Sequence, residues 1–154
     1  MEEVEFIVDQ YGDMLYRLCL VRLANEADAE DAVQDTYLKY IKKRPKFDSE
    51  EHRKAWLIRV AINLCRDIQR QKRARLSEDI ESMAQICTDE NEDGSEVIRT
   101  LMLLPEKYSS VMMLHFVEGQ DYKTIAKAIG RSESAVKMRI KKGRELFIKI
   151  YKGE

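Results

Sequence analysis

Two apolar-periodic segments that meet at a single glycine constrain this chain more than any other stretch. In YKTIAKAIGRSESAVKMRIKKGRELFIKI (122 to 150), Ile125, Ala126 and Ile129 recur at helical spacing up to Gly130. Glycine there suits the left-handed residue that ends a helix, and Asp121 and Ser132 stand where two successive helices need N-caps. The spacing predicts a helix-turn-helix. In its second helix Val136, Ile140, Gly143, Phe147 and Ile150 share one face, while Lys137, Arg139, Lys141, Lys142 and Arg144 lie around the rest. Such a helix buries one side and offers cations on the other, the arrangement that a major groove flanked by phosphates requires. A solvated basic face on a packed helix has the same pattern, so the remainder of the chain has to decide between the two.

The 154 residues suffice for one ordinary domain or two small ones, and 44% hydrophobic residues can supply cores. No run approaches the roughly 18 apolar residues of a membrane span. The N-terminus, MEEVEFIVDQ, is acidic and does not read as a leader, which predicts a cytoplasmic protein. Cys19, Cys65 and Cys87 are odd in number and form no CxxC or Cys/His cluster, so neither a disulfide framework nor a zinc site is expected, and Cys19 and Cys65 read as small core residues. His52 and His115 lack companions at ligand or catalytic spacing. With no paired titratable motif and no glycine-rich phosphate loop, neither an enzyme nor a bound cofactor or metal is expected.

Net charge is −1, which alone argues against a uniformly basic nucleic-acid binder. Charge is nevertheless segregated along the chain. Residues 1–75 carry 15 Lys/Arg against 14 Asp/Glu, residues 76–98 carry none against 8, and residues 99–154 carry 12 against 6. The C-terminal part therefore has an electrostatic reason to approach DNA, and the middle part a reason to avoid it.

Before the helix-turn-helix, every periodic segment is helical. From Glu3 to about Leu23, Ile7, Tyr11, Met14, Leu15, Leu18 and Val21 recur on one face. Asn25 caps a second helix, about Ala27 to Lys43, with Ala29, Ala32, Val33, Thr36, Tyr37, Tyr40 and Ile41 inward and Asp28, Glu30, Asp31, Gln34 and Asp35 outward. Pro45 interrupts, and Asp48 or Ser49 caps a third helix to about Arg75 whose apolar face is Trp56, Leu57, Val60, Ala61, Leu64 and Ile68. Residues 76–96 are acidic and poor in apolar residues, which marks a tether. Val97, Ile98, Leu101 and Leu104 resume a helical stripe, and Pro105 opens a helix through Tyr108, Val111, Met112, Leu114, His115, Phe116 and Val117 to Gly119. The fold expected is all-α: two small bundles, 1–75 and 97–154, joined by an acidic linker over 76–96.

Read in series, DAEDAVQDTYLKYIKK (28 to 43), AWLIRVAINLCRDIQR (55 to 70), LLPEKYSSVMMLHFVEG (103 to 119) and YKTIAKAIGRSESAVKMRIKKGRELF (122 to 147) resemble the bacterial extracytoplasmic-function (ECF) sigma factors. The resemblance covers nearly the whole chain in order. It implies a region 2 bundle and a region 4 bundle that direct core RNA polymerase to promoters, with an anti-sigma factor as a further partner. It also assigns Asp28, Asp31, Gln34 and Asp35 to docking on the coiled coil of the largest polymerase subunit, with the flap a second contact. Phe47, Asp48, Ser49 and His52 then correspond to the pocket that captures an unstacked base of the −10 element, and Trp56 either stacks there or packs in the core. Asn63, with Arg59, Arg66 and Arg70, corresponds to the upstream edge of that element. At the −35 element Lys137, Met138, Lys141 and Lys142 would approach base edges, and Arg131, Ser132, Ser134, Arg139 and Arg144 would grip phosphates. The chain departs from the family's usual pattern at Ser134-Ala135-Val136, at Met138, and at Thr124, where a Glu is common.

The tether sets a length constraint. About 21 residues reach roughly 70 Å when extended but only about 25 Å as a free coil, whereas elements some 17 base pairs apart are separated by roughly 58 Å. Two readings follow: a solvated spacer, or an acidic strand that a basic polymerase channel draws out, as the resemblance implies. Neutralising its carboxylates at constant length separates them, with the second reading predicting altered initiation and promoter escape. A stand-alone helix-turn-helix regulator whose first bundle dimerises, and a helical adaptor that never meets DNA, are the rival functions.

Overall fold

The computed structural model describes residues 2–75 and 95–153, and all regular structure among them is helical. Most of the acidic tether, 76–94, lies outside the described residues; Ser95 and Glu96 already belong to the helix that follows.

The first three helices are α1 (Glu2–Leu23), α2 (Glu26–Lys43) and α3 (Glu50–Arg75). Asn25 accepts from the amide of Asp28 at 2.9 Å and so starts α2. At the head of α3 it is Ser49 that caps, its hydroxyl accepting from the amide of His52 at 3.1 Å. The six apolar positions expected on α1 are all buried and meet Ala29, Ala32 and Val33 of α2 and Leu57, Ile58 and Ala61 of α3. Each fully enclosed Leu or Ile in that core contributes about 1.5–3 kcal/mol.

The second set is α4 (Ser95–Met102), α5 (Glu106–Met112), α6 (Tyr122–Ile129) and α7 (Glu133–Tyr151). Leu101, Val111, Met113, Leu114, Ile125, Val136 and Ile140 fill its core. Gly130 takes the left-handed conformation (φ 70°) expected at the turn, and the amides of Gly130 and Arg131 both donate to the carbonyl of Ala126. Asp121 and Ser132 cap α6 and α7 by accepting from Thr124 and Ala135 at 2.8 and 3.1 Å. The two sets also pack on each other, α3 against α6 and α1 against α4 and α5, and their buried residues form one continuous cluster.

Four expectations are corrected. The segment after Pro105 is not one helix, because α5 gives way to a π turn over Met113–Val117. That wider turn leaves Phe116 and Val117 exposed while Met113 and Leu114 stay buried. On α3 the deepest residues are Ile58, Ile62 and Cys65, with Val60, Leu64 and Ile68 only half-buried, because this helix is covered from two sides. Ile41 and Ile150, expected inside, are exposed near the ends of their helices.

Gly143 fixes how closely α5 and α7 approach. A Cβ there would lie 2.9 Å from Cγ of the buried Met112 and 3.4 Å from Cβ of Tyr108. Gly143→Val is therefore expected to cost about 1–3 kcal/mol through overpacking. A thermal melt checks it: a midpoint equal to that of the parent would show that the approach is not tight.

Candidate nucleic-acid interface

An aromatic cluster stands where α2 hands over to α3. Phe47 stacks on Tyr40 at 6.2 Å between centroids and meets Trp56 and His52 edge-on at 5.9 and 5.1 Å. The Arg53 guanidinium sits 5.9 Å from the Phe47 ring. The start of α3 is held by the Tyr11 hydroxyl, which donates to Glu50; burial first, and then that bond, push the phenol up to about 12.

In front of these rings opens a cleft of about 350 Å³ lined by Asp48, Ser49, His52, Ala55, Trp56, Arg59 and Lys127. Five of the nine residues expected at the −10 element thus converge on one cavity. Phe47 backs the rings instead, which makes Trp56 a residue with one face in the core and one on the cleft. Asn63, Arg66 and Arg70 continue along the exposed side of α3, with Arg70 3.7 Å from Asp67. A base-sized cavity edged by an aromatic ring and cations can hold an unstacked base and its phosphates.

Lys127, from α6, belongs to the opposite bundle. Sequence reasoning offered no sign of it, nor of the contacts around it. Arg59 donates from its Nε to the carbonyl of Ala128 at 3.3 Å and from a terminal nitrogen to that of Lys127, so the C-terminal end of α6 holds a cation that the sequence assigned to DNA. Lys54 donates to Gln120 at 3.1 Å, and Arg17 makes a forked pair with Glu118 at 2.6 and 2.8 Å. The Glu118 side chain is only 6% exposed in this contact.

On α7 the exposed side carries Lys137, Met138, Lys141 and Lys142, and Met138 is 73% exposed. Arg131, Ser132 and Ser134 are exposed at the head of the helix, around the capped turn. Lys137 lies 5.6 Å from the Tyr122 ring centroid, Lys142 is 3.9 Å from Glu145, and Arg144 lies over Phe116. Burial first, and then the charges of Arg131 and Arg66, depress Arg139 below its ordinary value. Arg66 is on α3, so cations expected at the two promoter elements share one electrostatic field in this arrangement. The Thr124 side chain is buried.

The outward face of α2 carries Asp31, Gln34 and Asp35 exposed, whereas Asp28 is half-buried and paired with Lys72 near the end of α3. Behind α7, Val97, Leu101, Met112, Phe116, Val117, Phe147 and Ile148 line an apolar groove of about 290 Å³ edged by Arg144. No described helix is long and apolar enough to cross a membrane.

Comparison with known families decides what this pairing of a cleft and a helix-turn-helix is. Residues 7–75 match Sigma-70 region 2, and residues 95–147 match Sigma-70 region 4. The chain belongs to the Sigma-70 family of sigma factors. Among relatives, the ECF sigma factor SigW of Bacillus subtilis is 28% identical over 93% of this chain and 86% of its own length. SigV of the same organism is 27% identical over 94% and 87%. Among solved structures, the sigma factor RpoE of Bartonella quintana in complex with the anti-sigma factor NepR superposes with a TM-score of 0.78, covering 99% of this chain and 98% of that one at 21% identity. CnrH in complex with the cytosolic domain of CnrY gives 0.73, covering 98% and 88% at 24% identity. The likeness in fold therefore spans both bundles of this sigma factor.

Because polar contacts share the joint between regions 2 and 4 with apolar packing, one charge reversal should loosen it. Arg17→Glu places a second carboxylate beside Glu118, and small-angle scattering is expected to show a larger radius of gyration than the parent. An unchanged radius would mean that apolar packing alone holds the bundles together.

Proposed function

We propose that this sigma factor brings core RNA polymerase to a promoter with α7 on the −35 element and the cleft at the head of α3 on the −10 element. The observation that carries the reading is the convergence of Asp48, Ser49, His52, Trp56 and Arg59 on one cavity in the chain that also holds a capped, basic helix-turn-helix. In the docked state Lys137, Met138, Lys141 and Lys142 face base edges, and Arg131, Ser132, Ser134, Arg139 and Arg144 position the backbone. Phe47, Asn63, Arg66 and Arg70 complete the −10 side. An Asn amide pairs with a base edge, while the arginines neutralise phosphates.

The exposed carboxylates and amide of α2 supply a polymerase docking face through Asp31, Gln34 and Asp35, with Asp28 joining them once Lys72 lets go. The apolar groove behind α7 suits a second polymerase element, the flap, since exposed Phe116 and Ile148 are surfaces that water disfavours. An anti-sigma factor as regulator, and action in the cytoplasm, accompany this reading. Recognition of both elements at once requires the bundles to part, because Arg59 is occupied by α6 while they are together. Differential binding by polymerase and DNA to the parted form is sufficient to shift that equilibrium.

Run-off transcription with purified core polymerase on genomic fragments tests the proposal: a specific transcript is expected with the chain and none with core alone. Charge reversal at Lys137, Lys141 and Lys142 together is expected to reduce that transcript more than tenfold while leaving polymerase binding intact, since each lost phosphate or base contact weakens DNA binding. Asp31→Lys with Asp35→Lys should do the opposite and abolish polymerase binding. Full transcription from the Lys variant would refute the assignment of α7.

A further inference from the structure

Arg22, near the end of α1, is a cation enclosed almost entirely by protein, its side chain only 4% exposed. One terminal nitrogen of its guanidinium donates to the Ser110 hydroxyl at 2.6 Å and the other is 3.4 Å from the Glu106 carboxylate, both on α5. Its Nε is buried with no hydrogen-bond partner among the described residues. A guanidinium removed from water calls for an anion, and the carboxylate at 3.4 Å meets that need only in part.

Glu106 is itself divided among partners. The Gln69 amide of α3 donates to it, and Arg73, also of α3, stands 3.8 Å away. Beside these groups opens a cleft of about 450 Å³ whose wall includes Val21, Arg22, Arg73, Leu104, Glu106 and Lys107. That volume lies within the roughly 300–1,000 Å³ of ordinary small-ligand sites, which pair apolar walls with a few placed polar groups. Three cations therefore face one carboxylate across the cleft, with buried Val21 and Leu104 as its apolar part. Arg22 is fixed by packing, whereas the Arg73 side chain is 69% exposed and Lys107 is exposed too, so both can follow a ligand. Arg22 and Arg73 belong to region 2 and Lys107 to region 4.

We propose that this cleft is a binding site for a small phosphate-bearing ligand, held by Arg22, Arg73 and Lys107 at the joint between regions 2 and 4. A phosphate dianion competes for these cations with the single charge of Glu106, and its several oxygens accept from more than one of them at once. The planar arginine forks match phosphate oxygens in pairs, and the lysine adds a point charge. Glu106 keeps the Gln69 amide as its donor, while Val21 and Leu104 meet whatever apolar body the phosphate carries. Because cations from both bundles grip one ligand, occupancy clamps the joint and favours the closed molecule through differential binding. The inference does not rest on promoter binding by either bundle.

The test is calorimetric titration of the full chain with inorganic phosphate and, separately, with adenosine 5′-monophosphate, using sodium chloride at matched ionic strength as the control. Saturable binding of at least one of the two, with a Kd of about 1 mM or below, is expected, and none of chloride. Equal affinities would identify the phosphate group alone as the ligand, and tighter binding of the nucleotide a phosphorylated metabolite. Arg73→Ala and Lys107→Ala remove exposed side chains and leave the core intact; each is expected to weaken binding about tenfold, the weight of one charged hydrogen bond. Glu106→Gln keeps an acceptor for Gln69 but removes the competing charge, and is expected to tighten binding. No saturable binding of either ligand, or an affinity unchanged in both alanine variants, would overturn the proposal. A loss confined to one of those variants would place the ligand on a single bundle and overturn the clamp, and weaker binding by Glu106→Gln would overturn the competition.

Discussion

Helix α3 is claimed from both sides, and the rest of the molecule depends on how it meets both claims. Toward α1 and α2 it presents Leu57, Ile58, Ala61, Ile62 and Cys65, which are as dry as any residues in the chain. Toward α6 it presents Arg59 and a more open, half-buried flank. Its first turn is anchored through Glu50 to Tyr11, so the aromatic rings and the cleft in front of them sit at a fixed point of a rigid element. A cleft built on such an element has its lining held in place by packing before any ligand arrives.

The two flanks differ in chemistry. Inside region 2, contact is aliphatic, and separating its helices would expose hydrocarbon to water at about 25 cal/mol for each Å². Between regions 2 and 4, named polar pairs share the work: Arg17 with Glu118, Lys54 with Gln120, Arg59 with two carbonyls, Arg22 with Ser110. Exposed pairs of this kind typically contribute about 0–1 kcal/mol each, whereas Arg22 and Glu118 are buried in theirs, where breaking the pair costs more. Water can replace every partner as the surfaces part. The joint therefore combines the continuous buried cluster with polar pairs, a composition closer to an inter-domain interface than to the aliphatic interior of region 2.

Most of the fold was legible because it rests on local periodicity and on caps. The stripe on α1, the Asn25, Asp121 and Ser132 caps and the Gly130 turn all follow from spacings within a few residues. What escaped was non-local. Ile58 and Ile62 fall beside the stripe that periodicity picks out on α3, so their burial shows only in the packed structure, and Arg22 looks like a surface cation until α5 is seen above it. The π turn at Met113–Val117 has no distinct sequence pattern, since an apolar run of that length suits an unbroken helix equally well. The candidate cleft was partly legible: the residue types pointed to Asp48, Ser49, His52, Trp56 and Arg59, while Lys127, 68 positions beyond Arg59, entered only through tertiary packing.

Arg66 of α3 acts on Arg139 of α7, beside Arg131, only while the bundles are together. Three like charges gathered from both halves repel, so the closed molecule carries a tension that grows as the salt around it is diluted and the Debye length lengthens beyond about 10 Å. The same gathering concentrates positive potential at a single spot. An approaching polyphosphate therefore meets one strong attractor rather than two weaker ones, and once it lies between them the cations no longer oppose each other. Closure thus gathers positive potential from both halves while it engages Arg59 with α6.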